Sequence, residues 1–192
     1  QKLLESIGCR VKRRGKTLTV DARNVSVDTM SGESVTGMRS SLMLLGAMLG
    51  RVGEVTMAYP GGCIIGQRPI DVHLNALRKM GVSVYENEGT FTARTHKLKG
   101  CVIHLPMPSV GATENIILTA CTAKGTTVIT NAAREPEISD LADFLNSCGA
   151  RISGTGEGTV VIEGVKELHP VQYRVIPDRI VAATYMAAAA MT

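Results

Sequence analysis

A thiol framed by glycines is the first feature in this sequence with chemistry in it. The stretch Tyr59-Pro60-Gly61-Gly62-Cys63-Ile64-Ile65-Gly66-Gln67-Arg68-Pro69-Ile70-Asp71-Val72-His73 carries its cysteine, three glycines and an arginine close together. Gly61, Gly62 and Gly66 give the backbone the freedom that a lid over a cleft requires. A thiol at the tip of such a lid is exposed to whatever the lid covers. Arg68 favours the thiolate and can hold phosphate or carboxylate through paired hydrogen bonds. Cys9, Cys101, Cys121 and Cys148 fall instead in apolar positions, where a cysteine serves as a small packed residue. Arg68-Pro69-Ile70-Asp71 opens a helix, and Pro fits its first turn because the missing N–H costs nothing there. The free N–H groups of a helix start offer an anion site. Ser109-Val110-Gly111 forms a second turn ahead of a helix. Glu135 and Glu137 fit a first-turn acidic pair that stabilises a helix start through its dipole.

These groups are carried by a repeat. Lys2-Leu3-Leu4-Glu5-Ser6-Ile7-Gly8, Leu77-Arg78-Lys79-Met80-Gly81 and Phe144-Leu145-Asn146-Ser147-Cys148-Gly149 each predict a helix stopped by glycine. Each is followed by two short alternating runs, which predict a strand, a turn and a strand. Ahead of the second and third copies lie an apolar helix (38–50, 112–123), a strand (53–57, 125–129) and a Pro-marked helix start. The unit is helix, strand, helix, strand, strand, about 65–70 residues long between Gly81 and Gly149. Residues 178–191 begin a further copy. Repeated mixed units predict an α/β domain with pseudo-threefold symmetry, holding two complete units, the tail of one and the head of another. Gln1 opens inside helix-like sequence and Thr192 stops inside an alanine-rich one, so the expectation is a fragment.

Composition excludes several classes. With 44% hydrophobic and 20% charged residues the chain is soluble and globular in type. Aromatics are 3% with no Trp, so the core is aliphatic and a base-stacking surface for single-stranded nucleic acid is disfavoured. The basic run Arg10, Lys12, Arg13, Arg14 and Lys16 fits a solvated turn. The net charge of +4 suits binding of phosphorylated small molecules. Five cysteines without a CxxC pair suggest neither a disulfide framework nor a zinc site. They fit a reducing, cytoplasmic setting. The apolar stretch 180–191 is too short to span a bilayer, and no membrane or nucleic-acid partner is expected.

The Cys63 stretch resembles the PGGCxIGxRPxDxH loop of the UDP-N-acetylglucosamine 1-carboxyvinyltransferases. Asn131-Ala132-Ala133-Arg134-Glu135-Pro136-Glu137-Ile138, Ser109-Val110-Gly111-Ala112-Thr113 and Pro177-Asp178-Arg179-Ile180 resemble further stretches of that family. The likeness runs along essentially the whole chain. It implies two inside-out α/β barrels of three repeats each, with the active site between them. Residues 1–176 would be most of one barrel and residues 177–192 the start of the other. The implied reaction transfers the enolpyruvyl group of phosphoenolpyruvate to the 3-hydroxyl of UDP-N-acetylglucosamine and releases phosphate, the first committed step of peptidoglycan synthesis, without a cofactor or metal.

The resemblance makes Cys63 the residue that supplies acid chemistry or aids product release, that forms an adduct with phosphoenolpyruvate, and that fosfomycin alkylates. Arg68 matches a ligand of the phosphoenolpyruvate phosphate, and Arg39 a residue near the reacting centre. A cation at a helix start opposes the dipole, so binding explains Arg39 better than stability does. Pro69, Ile70, Asp71, Val72 and His73 match positions that hold uridine and diphosphate. Ser109, Val110 and Gly111 match a second nucleotide turn, and Arg179 a cleft-side residue near the hinge. His73 taken alone also fits a surface residue. The chain departs from the family at Met107, where a Lys is common. The family's Lys-Asn pair falls before Gln1, and its Asp base and a further Arg fall beyond Thr192, so no turnover is expected from the chain alone. The shikimate-pathway enolpyruvyl transferase shares the repeat but lacks the Cys-bearing loop. A non-catalytic binding fragment is the alternative from a different class.

Overall fold

The computed structural model describes residues 1–26, 30–61 and 70–192, with Ser34 through its backbone alone. The first unit supplies α1 (Lys2–Ser6), β1 (Arg10–Arg14) and β2 (Thr17–Asp21). Next come α2 (Glu33–Thr36), a 3-10 turn (Arg39–Leu42), α3 (Met43–Arg51), β3 (Glu54–Ala58), α4 (Asp71–Lys79), β4 (Ser83–Asn87) and β5 (Thr90–Arg94). The last full unit has β6 (Val102–His104), α5 (Val110–Ala120), β7 (Thr126–Thr130), α6 (Pro136–Ser147), β8 (Arg151–Ser153) and β9 (Thr159–Glu163), and α7 (Arg179–Met191) follows. Gly8, Gly81 and Gly149 hold φ values of 87°, 91° and 97°, the left-handed conformation that ends each helix and turns the chain into its hairpin.

The repeat is present with one strand more than the sequence pattern suggests. β6 pairs in parallel with β7, Val102 opposite Val128. Three residues are too short for alternation to register. In the preceding unit Met30 takes the same place. Its N–H donates to the Thr56 carbonyl at 2.8 Å and its carbonyl accepts from Ala58 at 2.8 Å. The unit is therefore strand, helix, strand, helix, strand, strand. The apolar segment 38–50, continuous in the sequence pattern, is divided between the 3-10 turn and α3.

Besides the antiparallel pair β1-β2, two larger sheets run β3-β5-β4 and β6-β7-β9-β8, antiparallel apart from β6–β7. One face of each points inward: Val55, Met57, Phe91 and Ala93 from the first sheet, Ile129, Val160 and Ile162 from the second. Between them lie the helices. α5 contacts α3, α4 and α6, and Ala112, Ile116, Ile117 and Ala120 on it are wholly buried. α3 and α5 run parallel at very close range. A Cβ added at Gly46 would stand 2.5 Å from the Asn115 carbonyl oxygen, and one at Gly50 would stand 3.1 Å from that of Leu118. Thr119 and Thr122 donate to the carbonyls of Gly46 and Gly50 at 3.3 and 2.9 Å. The two glycines thus let two backbones meet where side chains would hold them apart.

Candidate functional site

Four helix starts meet around the first two turns of α5. Ser109 caps α5, its Oγ accepting from Ala112 N–H at 3.3 Å, the expected role for Ser at that position. One turn on, Asn115 Oδ1 accepts from Gly46 N–H of α3 at 2.7 Å. The Asn115 amide nitrogen lies 3.0 Å from Nδ1 of His73, in the first turn of α4. Thr113 Oγ1 accepts from Ala133 N–H at 3.1 Å, in the turn leading to α6. A Cβ on Gly111 would stand 3.1 Å from Cε1 of His73. Helix starts carry partial positive charge, although the N–H groups of Gly46, Ala112 and Ala133 are here taken by side chains. Their convergence makes this end of the molecule suited to an anion.

The structure joins the two nucleotide turns expected from the sequence, 70–73 and 109–111, through His73. That ring is only 6% exposed. Burial, and then the charge of Arg39, press its pKa down to about 4, so it is neutral at pH 7. A surface position for His73, one of the two sequence readings, is thereby excluded. Ile70 is buried, and its carbonyl accepts from His73 and Leu74 to start α4. Asp71 and Val72 line a cleft of about 440 Å³ with Asn75, Lys79, Ile103 and Pro106. Beyond residues 105–108 lies a second cleft of about 440 Å³, between Pro108, Asn131, Arg134 and Glu135. Asn131, at φ 57°, is the one non-glycine with positive φ among the described residues, and its amide donates to the Leu105 carbonyl at 2.9 Å. Met107 is exposed on the dividing segment.

Arg39 begins the 3-10 turn that leads into α3 and is half-buried. Arg179 is paired with Glu137 in the first turn of α6, by two hydrogen bonds of 2.9 and 3.1 Å. That bond holds the Glu137 carboxyl below its usual range. Glu114, on α5, is pushed up by burial and then by the charge of Glu137. Glu137 is therefore engaged by Arg179 in addition to sitting in a helix first turn.

Cys63, Arg68 and Pro69 lie outside the described residues. The residues that lead into them are anchored. Tyr59 stacks at a tilt on Phe91, with centroids 5.4 Å apart. Its hydroxyl donates to Glu86 at 2.6 Å, a bond that, with burial, pushes the phenol up to about 12. Gly61 passes so close to the Thr36 carbonyl that a Cβ would collide with it. Glycine there is demanded by close approach as well as by freedom. Of the other thiols, burial pushes Cys121 up to about 11 and Cys101 upward, which leaves them poor nucleophiles at neutral pH.

Sequence reasoning missed Asn115, and it named Thr113 within a family-like stretch without giving it a role. The available signal was polar residues inside an otherwise apolar helix, where Asn is unfavourable without a specific partner. No group of three or more His, Cys, Asp or Glu among the described residues could hold a metal ion.

The model of the EPSP synthase (3-phosphoshikimate 1-carboxyvinyltransferase) family matches residues 1–192. The chain belongs to the EPSP synthase family. Within it, the UDP-N-acetylglucosamine 1-carboxyvinyltransferase 2 of Caldanaerobacter subterraneus subsp. tengcongensis is 53% identical over 190 residues, covering 99% of this chain and 46% of that protein. The UDP-N-acetylglucosamine 1-carboxyvinyltransferase of Gloeobacter violaceus is 49% identical over 191 residues, covering 99% of this chain and 42% of that one. The chain thus spans somewhat under half the length of these relatives. Among solved structures, the enolpyruvyl transferase NikO from Streptomyces tendae superposes with a TM-score of 0.80 at 25% identity, over 97% of this chain and 45% of that one. EPSP synthase from Acinetobacter baumannii shares the fold, with a TM-score of 0.70 at 23% identity. The mixed α/β architecture of the chain is that of the enolpyruvyl transferase family.

Proposed function

We propose that this chain is part of an enolpyruvyl transferase that moves the enolpyruvyl group of phosphoenolpyruvate onto the 3-hydroxyl of UDP-N-acetylglucosamine, in peptidoglycan synthesis. The carbon–oxygen bond to phosphate breaks, the bond to the sugar oxygen forms, and phosphate leaves. In this reading residues 1–176 are most of an inside-out barrel with pseudo-threefold symmetry, and residues 177–192 enter a second barrel. The observation that carries it is the meeting of turns 70–73 and 109–111 at one cluster of helix starts, in a chain 53% identical to a protein of that name. Helix N-termini and Ile70, Asp71, Val72, His73, Ser109, Val110 and Gly111 hold the nucleotide and its diphosphate. Arg68, beside Pro69, binds the phosphate of phosphoenolpyruvate, and Arg39 lies near the reacting centre. Cys63 serves as the acid or in product release and is the site of fosfomycin alkylation. Arg179 stands on the cleft side of the hinge. No helix among the described residues is long and apolar enough to cross a membrane, and the reading places the enzyme in the bacterial cytoplasm.

Fosfomycin tests it. The chain, and a chain extended to the length of its relatives, are treated with the epoxide, with and without UDP-N-acetylglucosamine, and weighed intact. The expected result is one adduct that forms faster with the sugar nucleotide and is lost in Cys63→Ala. No adduct in the folded, extended protein would overturn the assignment of Cys63. The family model is described by the shikimate-pathway reaction. Turnover of the extended protein with 3-phosphoshikimate instead of UDP-N-acetylglucosamine would overturn the choice of acceptor.

A further inference from the structure

Asn115 is wholly buried, yet both ends of its amide are used, and by different helices. Its Oδ1 takes the N–H of Gly46 at 2.7 Å. A backbone N–H can only donate, so the oxygen must face Gly46 and the NH2 group must face His73. The amide therefore donates to His73 Nδ1 across 3.0 Å. A ring nitrogen that accepts carries no proton, so in the neutral ring the proton sits on Nε2. Nε2 lies on the far side of the ring from Asn115, 3.6 Å from where a Cβ of Gly111 would be. Gly111 has no side chain to cover it, and no hydrogen bond reaches Nε2 among the described residues. That nitrogen thus lies beside the first turn of α5, next to Gly111.

We propose that Asn115 is a positioning residue for this site, fixing His73 as the Nε2–H tautomer so that this N–H donates to an acceptor oxygen of the bound sugar nucleotide. The proposal rests on the reading of turns 70–73 and 109–111 as the nucleotide site. A neutral imidazole in this role donates like the neighbouring backbone groups and requires no buried charge.

The test uses the protein extended to the length of its relatives, with 15N-labelled histidine and UDP-N-acetylglucosamine as probe. At pH 7 the His73 ring nitrogens should show the Nε2–H pattern alone. Asn115→Asp keeps an acceptor for Gly46 but removes the donor to Nδ1, so the ring should change to Nδ1–H or to imidazolium. Asn115→Ala should weaken sugar-nucleotide binding about tenfold, the scale of one lost hydrogen bond. In a His73→Ala background the same substitution should cost nothing further, because Asn115 acts through the ring. A purely structural role predicts additive losses. An Nδ1–H ring in the wild type, an unchanged tautomer in Asn115→Asp, or additive losses would overturn the proposal while leaving the nucleotide site standing. Failure of the folded wild type to bind the sugar nucleotide would overturn both.

Discussion

His73 shows how a residue's meaning depends on contacts that lie far away in the chain. Spacing puts it in a helix start, and the family likeness puts it near a nucleotide. Neither indicates that it is buried against an Asn 42 residues on, which in turn holds a glycine 69 residues back. The Cys63 stretch stands out in the sequence because its residues are contiguous, whereas Asn115 meets its partners only through folding. The burial of His73 has a consequence for pH. Unfolded, the ring takes up a proton near pH 6.5; folded, it does so only near pH 4. Between those values the unfolded state binds more protons, so stability falls as pH falls from about 6.5 to 4 and loses nothing more to this group below that. The full effect is roughly 3 kcal/mol. His73→Gln should flatten that part of the stability curve. Urea unfolding at pH 7, 5.5 and 4.5 checks it. Equal slopes for wild type and variant would show that the ring is protonated as readily in the fold as outside it.

At the scale of elements, the repeat was legible because glycine stops and alternating strands leave local marks. β6 was not, since three residues paired with a distant strand leave none. The packing of α3 on α5 lies between these cases. Gly46 and Gly50 are visible as small residues one turn apart, but only the structure shows them facing the α5 backbone. Replacing glycine by alanine in a solvent-facing helix stabilises by about 1 kcal/mol. Here Gly46→Ala should do the reverse. Its methyl would meet the Asn115 carbonyl oxygen at 2.5 Å and Oδ1 at 2.7 Å, and backbone cannot withdraw as a flexible side chain does. A loss of about 2–3 kcal/mol is expected from such overpacking. Gly50→Ala meets oxygens at 3.1 and 3.3 Å, so a shift of a few tenths of an ångström accommodates it. Its cost should stay within about 1 kcal/mol. Chemical denaturation of both variants checks the order, and a stabilised Gly46→Ala would mean that the two helices part easily.

For the whole molecule, the contrast between α5 and α7 is the informative one. Both are apolar, but α5 is buried on nearly every side, whereas α7 has no buried residue. Ile180, Val181, Tyr185, Met186 and Met191 all stand exposed on it. An apolar surface of this kind marks an interaction face or an aggregation liability. What holds α7 is local: Asp178 caps it, and Arg179 pairs with Glu137 in an exposed bridge of a type worth little in water. The segment before it is held better. Tyr173 packs on Phe144 and its hydroxyl donates to Asp140 at 2.8 Å, while Ile176 N–H reaches the same carboxylate at 3.3 Å. The body should therefore end energetically at about residue 176. Deleting residues 177–192 is expected to change the melting temperature by no more than about 4 °C, since an exposed ion pair contributes under about 1 kcal/mol. The same deletion should lower self-association in sedimentation velocity, because it removes the exposed apolar residues. A large drop in melting temperature would show instead that α7 packs on the body. Stability and association would then have to be explained by the same helix, and residue 176 would not be a domain boundary.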